Sequence, residues 1–450
     1  MRGQKTSRTG IFSWMLFDWA AQPFHTLLIT FIFAPYFAAH VAPTPVEGQQ
    51  IWGFAMGLGG ILIAILAPFF GAMADISGPR KPWIAAFSVL IVFGTALLYL
   101  ATPDGNAPIG LILVGLVIGL IGLEFATVFT NAMMPGLVDR ADLGKLSGSG
   151  WALGYVGGIF TLILVLGFMS ANPDTGKTLL GLSPILGLDP ATHAGDRATG
   201  PFTAIWYLVF VLPLFLFTPD IPKRKKTGAT ISKAMQNLWQ TIRALPQRKS
   251  YFSFLVTSML YRDGLNGLYA FGGIYAAGVL GMSIIQIGIF GILAALAGAL
   301  GAFAGGQIDA RLGPRTVTFW SCWLLVVAST IIVSTTPDNI LFVVSVSSTN
   351  APMITFYIAG ALIGAAGGAL QAASRTLLVD QVSQEEATQA FGLYALTGRA
   401  TSFIAPIAIA FLTLMSGSQR IGILPVIVLL AAGAIGLYWV KQHQPDQAIS

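Results

Sequence analysis

The stretch GAMADISGPRK at residues 71–81 has a counterpart in GGQIDARLGPR at residues 305–315. Each closes an apolar segment with glycine, aspartate, a Gly-Pro pair and arginine in the same order, and Asp75 and Asp309 lie 234 residues apart. Two further aspartate pairs recur at offsets of 245 and 241 residues: Asp18 with Asp263, and Asp139 with Asp380. Three landmarks at nearly constant spacing indicate a tandem duplication of six helices.

The composition places both halves in a membrane. Of the 450 residues, 55% are hydrophobic and only 9% are charged, whereas a soluble domain carries about 25% charged residues. So little charge cannot cover a water-facing surface, and the single cysteine, Cys322, cannot form an intramolecular disulfide. The composition therefore excludes a soluble enzyme, a disordered chain and a disulfide scaffold, and it leaves a multi-spanning membrane protein.

Apolar length divides the chain into spans. A membrane helix needs about 20 apolar residues, and breaks at proline, glycine and charge clusters give twelve predicted segments: 11–39, 51–74, 82–102, 108–131, 149–170, 202–218, 251–279, 284–307, 316–335, 353–376, 389–413 and 420–440. The first is too long for the apolar core of a signal peptide, so we expect it to be retained. The predicted fold is an all-α membrane protein with twelve transmembrane helices in two six-helix repeats.

Lysine and arginine are distributed unequally between the two sets of loops. Of the 24 such residues, 19 fall on the side of the termini, three in the opposite loops (Lys177, Arg197 and Arg420) and two within spans (Arg262 and Arg399). By the positive-inside rule, both termini are predicted to be cytoplasmic. The net charge of +6 is therefore a topology signal and not a nucleic-acid footprint.

The most basic loop, residues 219–250, separates the two halves. We expect an N-terminal six-helix half at 1–218, this cytoplasmic linker, and a C-terminal six-helix half at 251–450. Residues 231–245 could form an amphipathic helix on the anionic inner leaflet, although we favour a plain tether. In the long external loop, residues 179–188 could form a lid, but a short surface helix is the favoured prediction.

Three further motifs accompany the repeated loops: SWMLFDWAAQPF at 13–24, YRDGLN at 261–266 and FGLYALTGRA at 391–400. The loops resemble the signature loops of the major facilitator superfamily, although Pro79 and Pro314 depart from the usual Gly-Arg-Arg/Lys ending. Taken together, the motifs resemble the vacuolar-effluxer-type branch, which includes the fungal autophagy-associated vacuolar amino-acid exporters and their bacterial relatives. This resemblance covers essentially the whole chain. It implies the major facilitator fold, a central cavity lined by the first, fourth, seventh and tenth helices, and amino-acid efflux.

Ionisable residues within spans are functional candidates, because a charge at the bilayer centre costs about 2.5–3.5 kcal/mol on insertion scales. Helical spacing groups them and their neighbours into three polar stripes: Asp18, Gln22 and His25; Glu124, Thr127 and Asn131; and Arg262, Asn266 and Tyr269, with Asp263 one step around the helix. Pro23 also frees the carbonyl of Trp19, and a polar stripe beside a broken helix is typical of a substrate cavity. The predicted substrate and proton pathway therefore contains Asp18, Gln22, His25, Glu124, Arg262, Asp263, Asn266 and Arg399.

Each candidate has a structural alternative. Asp18 could pair with a neighbouring helix or a lipid headgroup, Glu124 could form a salt bridge, and His25 could satisfy a helix carbonyl, which is the role we favour for it. Arg399 could bind a substrate carboxylate or hold Glu124 or Asp263. Because burial disfavours the charged form of a carboxyl group, Asp18, Glu124 or Asp263 could carry a coupling proton, and Asp263 is the first choice.

The repeated loops predict a cytoplasmic gate formed by Asp75, Arg80, Asp309 and Arg315. An acid at a helix end can accept hydrogen bonds from the start of another helix and from nearby arginine. Such contacts form in one conformation and break in another, so they would bias alternating access. A loop-capping role is the alternative.

These observations predict a secondary active transporter of a small solute in the bacterial inner membrane, coupled to a proton or another ion. Amino-acid efflux follows from the resemblance, and a drug, sugar or peptide is the alternative cargo. The chain has no phosphate-binding GxxxxGK[ST] loop, so we do not expect ATP to drive transport. The spans have no catalytic HxxxH or GxSxG pattern, so we do not expect an enzyme. A non-transporting receptor or scaffold of the same fold stays open. The expected partners are the solute, the coupling ion and membrane lipid, with no cofactor, metal, nucleic acid or obligate protein partner.

Overall fold

The computed structural model describes residues 6–76, 79–138, 143–220, 236, 239–240, 242–346, 350–382 and 387–441. The membrane helices, numbered along the chain, are α1 Arg8–Pro23, α2 Pro45–Ile76, α3 Lys81–Leu97, α4 Ile109–Asn131, α5 Leu143–Phe168, α6 Thr199–Phe217, α7 Lys249–Leu280, α8 Ile284–Leu312, α9 Pro314–Ser334, α10 Ala351–Asp380, α11 in two segments, Ala387–Ala400 and Ile404–Ser416, and α12 Leu424–Gly436. Each of the twelve predicted segments falls on one of these helices.

Shorter elements connect or extend the membrane helices. They are the π-helical Phe24–Phe31 and Phe37–Val41, the short α-helices Phe33–Tyr36, Met134–Leu137, Ala194–Arg197 and Gln419–Gly422, the 3₁₀ turns Leu98–Leu100, Ile185–Gly187, Pro190–Thr192, Leu245–Gln247 and Leu437–Trp439, and the strands β1 Asn339–Ile340 and β2 Val344–Ser345. The two strands pair antiparallel.

Eleven helices in the described part of the chain are long and apolar enough to cross a membrane. The helix outside this set is α7, which has 32 residues and carries the adjacent charges Arg262 and Asp263 near its middle. Its length exceeds what a bilayer needs. We therefore treat α7 as the twelfth span.

The chain forms two compact units, Met1–Thr44 with Leu62–Leu238, and Pro45–Ile61 with Trp239–Ser450. In the first unit, α1 packs on α5 and α6, and α3 packs on α4 and α6. In the second unit, α7 packs on α12, and α9 packs on α10 and α12. The pairs α1–α6, α3–α4 and α3–α6 thus recur as α7–α12, α9–α10 and α9–α12, as a duplicated half predicts.

Aromatic rings and glycine contacts both pack the membrane helices against one another. In the first unit, Phe70 of α2, Phe87 of α3 and Phe125 of α4 have ring centroids 4.6 to 5.4 Å apart. In the second unit, glycines bring the α8 and α10 backbones together. An ideal Cβ added to Gly301 would lie 2.1 Å from the carbonyl oxygen of Ala365, so the two helices meet at a distance that only glycine permits.

The surface helix predicted at 179–188 is wrong. The structure has only the 3₁₀ turn Ile185–Gly187 in this stretch. Gly181, Leu186 and Gly187 have positive φ angles of 73°, 58° and 65°, which a right-handed helix cannot contain. The proposed amphipathic helix at 231–245 falls largely outside the described residues, as does Asp139.

Candidate functional site

Helix α1 breaks at Pro23, as the sequence predicts. The proline removes the donor that would serve the carbonyl of Trp19, and the indole Nε1 of Trp206 on α6 donates to that oxygen at 3.1 Å. The rings of Trp19 and Trp206 also stack, with centroids 5.7 Å apart. Beyond the proline the chain is π-helical over Phe24–Phe31, a geometry that is frequent at functional sites.

Asp18 and Gln22 lie against glycines of α5. An ideal Cβ on Gly150 would fall 2.6 Å from Oδ2 of Asp18, and one on Gly158 would fall 2.8 Å from Cγ of Gln22. Within the described ranges, no donor is hydrogen-bonded to the Asp18 carboxyl group. The two side chains therefore occupy space that the glycines leave free. The carboxyl oxygens of Asp18 can still accept hydrogen bonds.

His25 and Glu124 both lie in the first unit, on α1's π-helical extension and on α4. The His25 side chain is exposed, whereas Phe24, Leu27 and Leu28 beside it are buried. Glu124 on α4 lies near enough to interact electrostatically with the imidazole. Members of two of the predicted polar stripes therefore lie within electrostatic range of each other.

The polar face of α4 is its less buried face. Glu124 and Thr127 are half-buried and Asn131 is exposed, while the neighbouring Leu123 and Ala126 are buried. The hydroxyl of Thr127 donates to its own helix, to the Leu123 carbonyl at 2.7 Å. Glu124 is thus the group on this face best suited to meet a proton or a cation.

Arg262 on α7 is held by α11. Its Nη1 donates to the carbonyl oxygen of Tyr394 at 2.7 Å, and its guanidinium carbon lies 4.1 Å from the centre of the Tyr394 ring. An ideal Cβ on Gly398 would fall 2.3 Å from Nη2, so this glycine makes room for the guanidinium. A hydrogen bond and a cation–π contact together position the positive charge.

Asp263 points to a different part of α11, as neighbouring positions on a helix should. Its Oδ2 accepts a hydrogen bond from the backbone N–H of Ala405 at 2.9 Å. Ala405 is the second residue of the segment Ile404–Ser416, so the carboxyl group caps the start of that segment. Asp263 is 2% exposed, and its Oδ1 is buried without a hydrogen-bond partner in the described part of the chain.

Two other candidates lie on the same helices. Asn266 is exposed on α7, and Arg399 is half-buried one residue before the first segment of α11 ends. Tyr269, one turn beyond Asn266, lies against α10, where an ideal Cβ on Gly367 would fall 2.2 Å from its hydroxyl oxygen. The third polar stripe therefore contacts both α10 and α11.

The predicted gate residues of the second unit serve two separate contacts. Asp309 is 8% exposed, and its carboxyl group lies near Thr376 towards the end of α10. Arg315 instead donates from Nε to the carbonyl of Leu437 at 2.9 Å and from Nη2 to that of Tyr438 at 3.3 Å. A cation at these carbonyls stabilises the C-terminal end of α12.

In the first unit the predicted gate residue Arg80 contacts a residue that the sequence analysis missed. The Asp220 carboxylate accepts from the backbone N–H of Arg80 at 2.8 Å and of Lys81 at 3.1 Å, which caps the start of α3. The Arg80 side chain is buried, with 6% exposure. The Asp75 side chain lies outside the described residues.

Trp206 and Asp220 are functional candidates that the sequence analysis did not select. Trp206 has the appearance of an interfacial tryptophan in the sequence, and nothing local marks its contact 187 residues away with Trp19. Asp220 lies three residues after the end of α6 in a Pro-Asp step, which predicts a turn there but does not indicate that its carboxylate caps α3, 140 residues away in the sequence. In the described ranges, no group of three or more histidine, cysteine, aspartate or glutamate side chains is arranged to bind a metal.

Comparison of the sequence with known protein families identifies the family of this chain. The family described as vacuole effluxer Atg22 like matches residues 44–449. The chain belongs to this family. The predicted branch is therefore confirmed, although the Asp18 motif on α1 lies before the matched range.

Relatives of this family member include bacterial and fungal proteins. An uncharacterized MFS-type transporter YxiO of Bacillus subtilis is 22% identical over 438 residues, with 96% of this chain and 94% of the relative aligned. Autophagy-related protein 22 of Coccidioides immitis is 25% identical over 318 residues, which cover 67% of this chain and 49% of the fungal protein. The multidrug resistance protein MdtG of a Rahnella strain is 23% identical over 422 residues, with 93% and 90% aligned.

Solved structures show the fold. A bacterial homologue of the human lysosomal transporter Spinster, in an inward-facing and occupied conformation, superposes with a TM-score of 0.67 at 15% identity and covers 97% of both chains. A D-xylose-proton symporter gives a TM-score of 0.67 at 14% identity, covering 96% of this chain and 98% of its own. The predicted major facilitator fold with two six-helix repeats is confirmed, and the protein is an MFS-type transporter of small solutes.

Proposed function

We propose that this protein is a proton-coupled carrier that exports a small solute, with amino acids as the first candidates, by alternating access. The family and the fold support a carrier, the description of the family as vacuole effluxers supports efflux, and amino acids are what the resemblance in the sequence implies. The distribution of lysine and arginine supports an orientation with both termini in the cytoplasm. We place the protein in the inner membrane of a bacterium.

The environment of Asp263 is the observation that carries the coupling proposal. One carboxyl oxygen is bonded to the Ala405 N–H, the other is buried without a partner, and no cation forms an ion pair with the group among the described residues. A buried carboxylate without a counter-charge costs several kcal/mol. Protonation removes most of this cost, which supports Asp263 as the binding site of the coupling proton.

The contact with Ala405 links that proton to the position of a helix. The N-terminus of the segment Ile404–Ser416 carries a partial positive charge, which attracts a carboxylate more strongly than a neutral acid. The deprotonated side chain therefore holds this segment tightly, and protonation weakens the contact. Proton binding and movement of the second segment of α11 are coupled by the same hydrogen bond.

The charges of each unit fit a zwitterionic solute. The first unit offers carboxyl groups, Asp18 and Glu124, which can bind an ammonium group. The second unit offers guanidinium groups, of which Arg262 is already held by Tyr394 and Arg399 is half-buried on α11. We propose that Gln22, His25 and Asn266 complete the pathway as hydrogen-bonding groups. We further propose that Asp309 with Thr376, and Asp75 and Arg80 in the first unit, form contacts that change between conformations, whereas Arg315 stabilises α12.

A drug-like solute is the second candidate. The relative named multidrug resistance protein MdtG aligns with 93% of this chain, and the aromatic rings of Trp19, Trp206 and Phe160 lie close together beside the polar face of α1. Aromatic surfaces bind flat cationic or apolar molecules. A flux screen separates this candidate from amino acids.

The experiment is a transport screen in proteoliposomes that contain the purified full-length protein. Amino acids, peptides, sugars and cationic drugs are tested one at a time, with and without an imposed pH gradient, against protein-free vesicles. We expect saturable flux of at least one amino acid, faster with the gradient and slowed by a protonophore. Drug flux without amino-acid flux would overturn the substrate proposal, and ligand-induced thermal stabilisation without any flux would favour a receptor.

A further inference from the structure

The loop between α9 and α10 folds into a hairpin with an apolar tip. Strands β1 and β2 pair Asn339 with Ser345 and Ile340 with Val344. The turn residues and the first residue of β2 form a tip of four consecutive apolar side chains with large exposed fractions: Leu341 48%, Phe342 64%, Val343 81% and Val344 51%. A stretch of this kind is avoided on a surface that faces only water.

The base of the hairpin is polar and well bonded. The N–H of Thr336 donates to the Asn339 carbonyl at 2.8 Å, and the N–H of Val346 donates to the Asp338 carbonyl at 2.8 Å. The hydroxyl of Ser345 donates to Oδ1 of Asn339 at 3.2 Å. The hairpin is therefore amphipathic from base to tip, with its polar groups satisfied where it leaves the membrane helices.

The backbone fixes the depth of the tip. Helix α9 has 21 residues, which at about 1.5 Å per residue equals roughly 31 Å, close to the ~30 Å hydrocarbon thickness of a bilayer. Its last residue, Ser334, therefore lies at the boundary of the apolar layer. The N–H of Phe342 donates to the Ser334 carbonyl at 3.0 Å, so the tip lies at that same boundary.

Arg420 adds a positive charge at this depth. Its Nε and Nη2 donate to the Val333 carbonyl at 3.2 and 2.9 Å, and its guanidinium carbon lies 5.1 Å from the centre of the Phe342 ring. Arg420 is one of the three basic residues in the loops on the side opposite the termini. An arginine beside an exposed aromatic ring matches the phosphate layer of a bilayer, where charge and apolar surface are both accommodated.

We propose that residues 341–344 insert into the lipid leaflet on the side opposite the termini, with Arg420 at the level of the lipid phosphates. Leu341 and Phe342 have φ angles of 53° and 63°, values that glycine or asparagine adopts more easily. Burial of these large apolar side chains in lipid offsets the strain, which explains why glycine or asparagine does not occupy these positions. The hairpin thereby anchors the α9–α10 connection of the second unit to the membrane surface.

The test measures the depth of a nitroxide label in vesicles of phosphatidylcholine and phosphatidylglycerol. Val343→Cys, Asp338→Cys and Asn106→Cys are each labelled, with the wild type as background because its only cysteine, Cys322, is buried. The label at 343 should show several-fold lower accessibility to a water-soluble nickel reagent than the labels at 338 and 106, and higher accessibility to oxygen. Asp338 serves as the control within the same hairpin, and Asn106 as the control in an exposed loop of the first unit.

Equal nickel accessibility at 343 and 338 in vesicles would overturn the proposal. That result would mean that the tip faces water when the purified protein stands alone, as a surface for a protein partner would. All three substitutions are at exposed positions, and a single symmetric size-exclusion peak for each variant shows that the label reports on the folded protein. The measurement does not depend on transport, so it is independent of the proposed function.

Discussion

Packing between α8 and α10 provides a quantitative test of the second unit. We predict that Gly301→Ala destabilises this unit because the new Cβ would lie 2.1 Å from the Ala365 carbonyl oxygen and 2.5 Å from its Cα. Both neighbours are backbone atoms, so no side-chain rotation relieves the clash and the helices must separate. Overpacking of this kind costs about 1–3 kcal/mol, which for a unit of this size corresponds to a fall in melting temperature of roughly 2–12 °C.

The same helix supplies a matched control. Gly306 has no atom within 4 Å of the position of an added Cβ, so Gly306→Ala introduces the same methyl group without a clash. Alanine is favoured over glycine in a helix by about 0.5–1 kcal/mol. We therefore expect Gly306→Ala to melt at or slightly above the wild-type temperature.

Cys322 makes the assay specific. It is the only cysteine, lies fully buried on α9 of the same unit, and becomes accessible to a thiol-reactive fluorogenic dye only when that unit unfolds. In a temperature ramp of the detergent-solubilised variants, Gly301→Ala should have a lower melting temperature than the wild type. Gly306→Ala should melt at or slightly above the wild-type temperature. If both variants melt together with the wild type, the close approach of α8 and α10 is wrong.

Three further predictions concern capping and hydrogen bonding. Trp206→Phe should cost about 1–3 kcal/mol because the Trp19 carbonyl loses its donor, and the cost should shrink in a Pro23→Ala background, measured as the folded fraction after heating by size-exclusion chromatography. Asp220→Ala should cost about 0.5–2 kcal/mol through loss of the α3 cap, whereas Asp174→Ala in an exposed loop should be neutral in the same assay. Arg315→Gln should lower the melting temperature by the dye assay, because two carbonyls at the end of α12 lose a charged donor; equal stability would contradict this capping role.

Local sequence rules predicted the helices and the break in α1 because each depends on neighbouring residues. Apolar length identifies a span wherever it occurs, and Pro23 removes the donor for Trp19 in any surroundings. Similarly, period 3.6 placed Arg262 and Asp263 on different faces of α7, and the structure gives them Tyr394 and Ala405 as separate partners.

The partners themselves could not be predicted, because they come from helices distant in sequence. Periodicity says which residues share a face, but not which helix that face meets. Arg315 is 122 residues from Leu437, and Asp263 is 142 residues from Ala405. The prediction of a helix at 179–188 failed for another reason. Apolar content suggested a helix, but Gly181 and Gly187 adopt positive φ angles that a right-handed helix cannot contain.

The most direct test of the account is proton-driven transport by Asp263→Asn in proteoliposomes. Asparagine keeps an oxygen that can accept from the Ala405 N–H but has no titratable group, so the helix contact is retained and proton exchange is removed. The account predicts that exchange of solute down its own gradient continues, while accumulation driven by a pH gradient is lost. Full pH-driven accumulation by Asp263→Asn would contradict the proposal that the coupling proton binds at Asp263.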